Sequence, residues 1–144
     1  MENTFDIKEG LQIKGASFQP TRETIWEFCE ASLDYNPLHW DDKYMESDFG
    51  KTNFGGIIMH GMSNFSLITK MMTDWALPLG GTHRRLETRW KSPVKPGDTI
   101  TPTGTVKIVK KTEKAHWIVV SVAVTNQQNT LVAEGEATVE FSDA

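Results

Sequence analysis

Asp34 and His39 stand five residues apart in the stretch DYNPLHW (34–40), with Asn36 and Pro37 between them. Proline fixes its own φ, and an asparagine before it can cap the first free backbone N–H, so the chain turns sharply here. Across such a turn a carboxylate and an imidazole can face one cavity. The carboxylate then sets the ring tautomer and raises its basicity, and the ring handles a water proton. That chemistry adds water to an activated double bond or removes it. Asn36 would orient the same water or the turn itself. A plainer reading uses the same residues without chemistry: Asn36 as N-cap, Pro37 at the first helical position, and LHWDDKYMES as the helix that follows. Taken alone, the pattern favours the plainer reading.

Adding water to an activated double bond also needs a group to hold the developing negative charge. The stretch FGGIIMHGM (54–62) offers one, because Gly61 opens an apolar helical segment. Backbone N–H groups at a helix start are unpaired and carry positive dipole character, which suits an enolate oxygen. Glycine there also leaves room for a substrate carbonyl. The alternative is that Gly61 merely lets its helix pack closely.

Taken together, D-x-N-P-L-H followed by H-G-M resembles the MaoC-like, hydratase 2 family of hot-dog enzymes, the (R)-specific enoyl-CoA hydratases and 3-hydroxyacyl-thioester dehydratases. The resemblance runs from about Phe18 to Phe141 and includes the SPVKPGD turn at 92–98. It implies Asp34 and His39 as a catalytic dyad, the Gly61 amide as oxyanion donor, and a supporting place for Asn36. It implies no cofactor, coenzyme A being part of the substrate. It also implies a homodimer or higher oligomer, or a heteromer of paired subunits. Two features depart from the family. The stretch between His39 and His60 is a few residues longer than usual, around Ser47 to Asn53, and Trp40 sits where smaller side chains are common. Trp40, Phe49 and Phe54 therefore become candidate walls of an acyl tunnel, with Asn36 and His60 as further substrate contacts. HRRLETRWK (83–91) is the most basic stretch, and its Arg89 is a candidate for coenzyme A phosphates, although charge runs are usually solvated. Two rival functions remain open: a hot-dog acyl-CoA thioesterase, and a non-catalytic acyl-thioester-binding subunit. The first has no need of D-x-N-P-x-H, and the second none of an intact Asp34 and His39.

The elements that must position these residues follow from hydrophobic period. Thr21 is an N-cap candidate for a helix whose buried face carries Ile25, Phe28, Cys29, Ser32 and Leu33. Residues 61–77 read as a second helix, apolar nearly all round and therefore buried. Strands follow at 84–91, 99–109, 115–125 and 131–141, after a short one within 11–19. In 99–109, Ile100, Val106 and Ile108 share one parity. A long helix wrapped by four or five antiparallel strands is the hot-dog arrangement, an α+β fold, expected as one domain over 1–144.

Composition narrows the function classes. Among 144 residues, 38% are hydrophobic and 24% charged, as in a globular chain. The net charge of −4 lacks the basic footprint of a nucleic-acid binder. No apolar run reaches the roughly 20 residues of a membrane span, and MENTFDIKEG lacks a signal-peptide pattern, so a cytoplasmic location is expected. A single cysteine, Cys29, excludes an intramolecular disulfide and reads as a core thiol. His39, Asp41, Asp42 and His60 match no compact zinc or iron spacing, so no metal is expected. Serine-hydrolase, Walker and dinucleotide motifs are absent from the sequence.

Overall fold

The computed structural model describes residues 6–47 and 54–142. Strand β1 (Gln12–Lys14) leads to helix α1 (Arg22–Ser32), a 3-10 turn at Pro37–His39 and a short α2 (Asp42–Glu46). Helix α3 (Gly61–Ala76) and a 3-10 turn at Leu77–Leu79 come next, then β2 (Gly81–Trp90), β3 (Thr101–Lys111), β4 (Ala115–Thr125) and β5 (Leu131–Ser142). The strands form one antiparallel sheet in the order β1-β3-β4-β5-β2. It curls round α3 in the hot-dog arrangement.

Helix α1 starts at a reciprocal cap. The Thr24 N–H donates to Thr21 Oγ1 at 3.1 Å, and the Thr21 N–H donates to Thr24 Oγ1 at 2.9 Å. Ile25 and Cys29 form its buried face. Ser32 and Leu33 do not join them. The helix ends at Ser32, and Leu33 adopts φ 61° and is 78% exposed, which swings the chain out toward Asp34.

Helix α3 buries Asn64, Ile68, Met71, Met72 and Ala76, while Met62 is 51% exposed. The sheet therefore covers one side of it, not the whole circumference that its composition predicts. Ile68 and Met72 are wholly inside, and each burial contributes about 1.5–3 kcal/mol.

Two local features redirect the strands. The β3–β4 register slips between Val106 and Ile108, so Lys107 is an extra residue. Ile108 is turned outward at 44% exposure, against its sequence parity, and Val109 packs on the core instead. At the far edge, a Cβ on Gly135 would lie 1.9 Å from the Glu87 carbonyl oxygen, so only glycine lets β2 close on β5. Among the described residues, no helix is long and apolar enough to cross a membrane.

Candidate active site

The turn after α1 is built from two successive side-chain-to-backbone bonds. Asp34 Oδ1 accepts from the Asn36 N–H at 3.1 Å, and Asn36 Oδ1 accepts from the Leu38 N–H at 3.2 Å. Asn36 is thus the N-cap of the 3-10 turn that delivers His39. The continuous helix of the plainer reading is broken there, and α2 starts afresh with Asp41 as its own N-cap. His39 is buried, and its Nδ1 lies 2.7 Å from the Ile58 carbonyl oxygen. A carbonyl only accepts, so Nδ1 carries the proton and the Nε2 lone pair is left for chemistry. Nε2 faces Asp34 Oδ2 at 3.9 Å, and the carboxylate is about half exposed.

His60 lies beneath this pair. Its ring stacks on His39 with centroids 3.6 Å apart and planes 20° from parallel, and Phe28 packs against it at 4.8 Å. His60 Nε2 sits 3.1 Å from the Asp34 backbone oxygen and 3.6 Å from Cys29 Sγ. Burial pushes the His60 pKa down; the bond to the Asp34 backbone opposes this and the neighbouring His39 adds to it. Burial likewise pushes the Cys29 thiol up, with the Asp34 charge adding to the effect. Cys29 remains a protonated core thiol. At 2% exposure His60 presents almost no surface to a substrate, unlike the contact expected from the sequence. It holds the turn and supports the His39 ring. His60 Nδ1 and Asn64 Oδ1 are buried without a hydrogen-bond partner among the described residues.

Donor atoms of Asp34, His39 and His60 lie within 4.8 Å of one another. Imidazole lone pairs lie in their ring planes, and these planes are stacked. They do not converge on a point about 2.1 Å from both nitrogens, as a shared metal needs. The cluster is arranged for stacking and proton handling.

Gly61 is the first residue of α3, so its N–H has no intrahelical acceptor. The His60 side chain forms no cap bond, being committed to Asp34. A Cβ at Gly61 would lie 2.7 Å from both Cε2 and Nε1 of Trp90. The space beside Gly61 is therefore occupied by an indole, not left open for a carbonyl on that side.

A cavity of about 240 Å³ lies between α1 and α3, lined by Ile25, Phe28, Met59, Ser63 and Leu67 among others. Phe28 links it to the histidine stack, and Ser63 follows Gly61 in the first turn of α3. Trp40 is not in this wall. It is 43% exposed, donates its indole N–H to the Tyr35 carbonyl at 2.9 Å, and meets Trp26 edge-on at 6.1 Å. Phe54 is partly buried and also outside the wall. Phe49 lies outside the described residues, with the rest of 48–53. Arg89 points to the outer face of the sheet, into a groove with Glu87, Lys107, Glu134 and Glu136. Strand alternation separates it from the dyad, and the acids around it supply the solvated, paired environment of an ordinary charge run.

The structure thus unites Asp34, Asn36, His39, His60 and Gly61 and leaves Trp40, Phe54 and Arg89 apart. Sequence reasoning missed the cavity wall, the Ile58 carbonyl that sets the His39 tautomer, and Trp90. Only Trp90 had a signal: it shares strand parity with the core-packed Leu86.

Comparison with known proteins identifies the family and the fold. Residues 4–130 match the model of the MaoC like domain. The chain is 32% identical over 136 residues to an (R)-specific enoyl-CoA hydratase of Rhodospirillum rubrum, covering 93% of this chain and 88% of that one. The solved (R)-hydratase from A. caviae, involved in PHA biosynthesis, superposes with a TM-score of 0.79 at 25% identity, over 94% of this chain and 98% of that one. A 3R-hydroxyacyl-ACP dehydratase complex from Mycobacterium tuberculosis shares the fold, with a TM-score of 0.73 at 19% identity, over 92% of this chain and 96% of that one.

Proposed function

Because the chain belongs to the MaoC-like domain family, we propose that it is a hydro-lyase acting on trans-2-enoyl thioesters of coenzyme A. The product is the (R)-3-hydroxyacyl thioester, and the reaction is reversible. The observation that carries this reading is the 3.9 Å between Asp34 Oδ2 and His39 Nε2, with the opposite ring nitrogen held by Ile58. That separation is too long for a direct hydrogen bond and suits one water about 2.8 Å from each group.

In the forward direction the dyad polarises this water, and its oxygen bonds to C3 of the substrate. The C2=C3 electron pair moves toward the thioester oxygen, where the Gly61 N–H stabilises the enolate. C2 then takes the proton that the water gave up through the dyad, so both parts of one water end on the substrate. Dehydration runs the same steps backward. The cavity beside Phe28, Ser63 and Leu67 receives the acyl chain. No cofactor enters the scheme. The protein works as a homodimer or with a related subunit, which would cover the unpaired edge of β2.

Turnover of crotonyl-CoA and longer trans-2-enoyl-CoA thioesters tests this, with chiral analysis of the product. His39→Ala and Asp34→Asn should each lower kcat about 10²–10⁴-fold while the melting temperature holds. Near-normal turnover in both variants, or a predominantly (S) product, removes the assignment. Release of free coenzyme A thiol in place of hydration would point to a thioesterase.

A further inference from the structure

We propose that Trp90 is a positioning residue for the oxyanion donor, its indole face setting where the first residue of α3 lies. This rests on the hydratase reading above and adds a residue to it. The contact is with the ring face. The position of a Gly61 Cβ would be 2.7 Å from Cε2, 2.7 Å from Nε1 and 3.0 Å from Cδ1. Approach along the indole N–H would leave both carbons well beyond the nitrogen, so near-equal distances place that position over the pyrrole ring. Glycine and tryptophan here are matched in size.

Two further features give this contact a consequence. The start of α3 has no side-chain cap, because the His60 side chain is turned to the Asp34 carbonyl. The first turn therefore depends on packing for its position. Trp90 can supply it because the ring hangs from the end of β2, paired in register with Ala133, and the next residue donates its N–H to Val132 at 2.9 Å. Trp90 is nonetheless 46% exposed, so the same ring that packs on Gly61 is open on another side. A large aromatic packed against an uncapped helix start holds the donor in place. A shift of about 1 Å in such a donor costs on the order of 10²-fold in rate.

The test is a cycle in the full chain with crotonyl-CoA, using Trp90→Phe, Trp90→Leu, Trp90→Ala, Gly61→Ala and the Gly61→Ala/Trp90→Ala double variant. Trp90→Ala should lower kcat about 10- to 100-fold with KM within about threefold, and Trp90→Phe should stay within about threefold of wild type because a flat ring face remains. Trp90→Leu keeps apolar bulk without the face and should fall with Trp90→Ala, which preserves the test if the alanine variant fails to fold. Gly61→Ala should lose about 10²-fold or more, and adding Trp90→Ala should recover at least about tenfold of that loss. Wild-type kcat in Trp90→Leu or Trp90→Ala overturns the proposal. So does a double variant no better than Gly61→Ala, which would mean that Gly61 is small for the substrate alone. A wild-type chain that hydrates no enoyl thioester would instead overturn the functional reading. The pairing would then be read from melting temperatures: Gly61→Ala lowers the midpoint and Trp90→Ala added to it raises it again, and simple additivity overturns the pairing.

Discussion

The two stacked histidines must not both be charged at 3.6 Å, and the structure separates their roles by burial. His60 is sealed and committed through Nε2 to the Asp34 backbone, whereas His39 keeps Nε2 toward the carboxylate. The folded-state pKa of His60 is pushed below its ordinary 6.5 by burial. As pH falls, the unfolded chain therefore takes its proton first. Stability that is complete above about 6.5 is lost as pH drops from there toward the folded-state value. His83, also lowered by burial, contributes in the same direction. The melting temperature should fall as pH drops below about 6.5, and His60→Gln should remove part of that fall. Identical pH slopes in the two proteins would show that His60 does not contribute. The stacking also explains why His39 needs a neutral neighbour: a second imidazolium beneath it would oppose any positive charge it gains in proton transfer.

At the scale of elements, α1, the 3-10 turn and α2 form a corner whose outer surface is aromatic. Trp26 meets Tyr35 at 5.7 Å and Trp40 at 6.1 Å, and Arg22 reaches Asp42 through two bonds of 3.0 and 2.9 Å. These contacts brace the turn that carries Asp34 and His39. Trp40 is thus an anchor and not a tunnel wall. Its half-exposed ring makes the cost of Trp40→Ala about 2 kcal/mol, below that of a fully buried tryptophan. The expected result is a lower melting temperature with an unchanged ratio of kcat/KM between short and long acyl substrates. A shifted ratio with an unchanged melting temperature would return Trp40 to the substrate path.

For the whole molecule, the decisive feature is that α1 packed on α3 leaves a cavity of about 240 Å³ whose wall is drawn from distant segments, Ile25 and Phe28 on α1, Met59 before α3, and Leu67 on it. Leu67→Trp should fill part of it and lower kcat/KM for long acyl chains by more than tenfold relative to crotonyl-CoA, since a steric wall rejects outright where methylene count discriminates by only about 1–3 kcal/mol. Equal effects on all chain lengths would place the acyl group elsewhere. The strands, the central helix and the turn that carries His39 were legible in the sequence because each depends on local periodicity or on a local capping bond: the alternation along 131–141, the apolar spacing of 61–77, and Asn36 before Pro37. The meeting of Asp34 and His39 at 3.9 Å was legible for the same reason, five residues being short enough for one turn to set both side chains. Local rules failed where a long-range contact decides the outcome. The extra residue at Lys107 reversed the parity of Ile108, stacking beneath His39 left His60 almost without exposed surface, and strand alternation placed Arg89 on the outer face. Trp40 and Phe54 were expected in a wall, and the cavity that α1 and α3 leave between them is lined by other residues. Which imidazole keeps its Nε2 toward the carboxylate, and what fills the space beside Gly61, follow only from groups far apart in the chain meeting within a few ångströms.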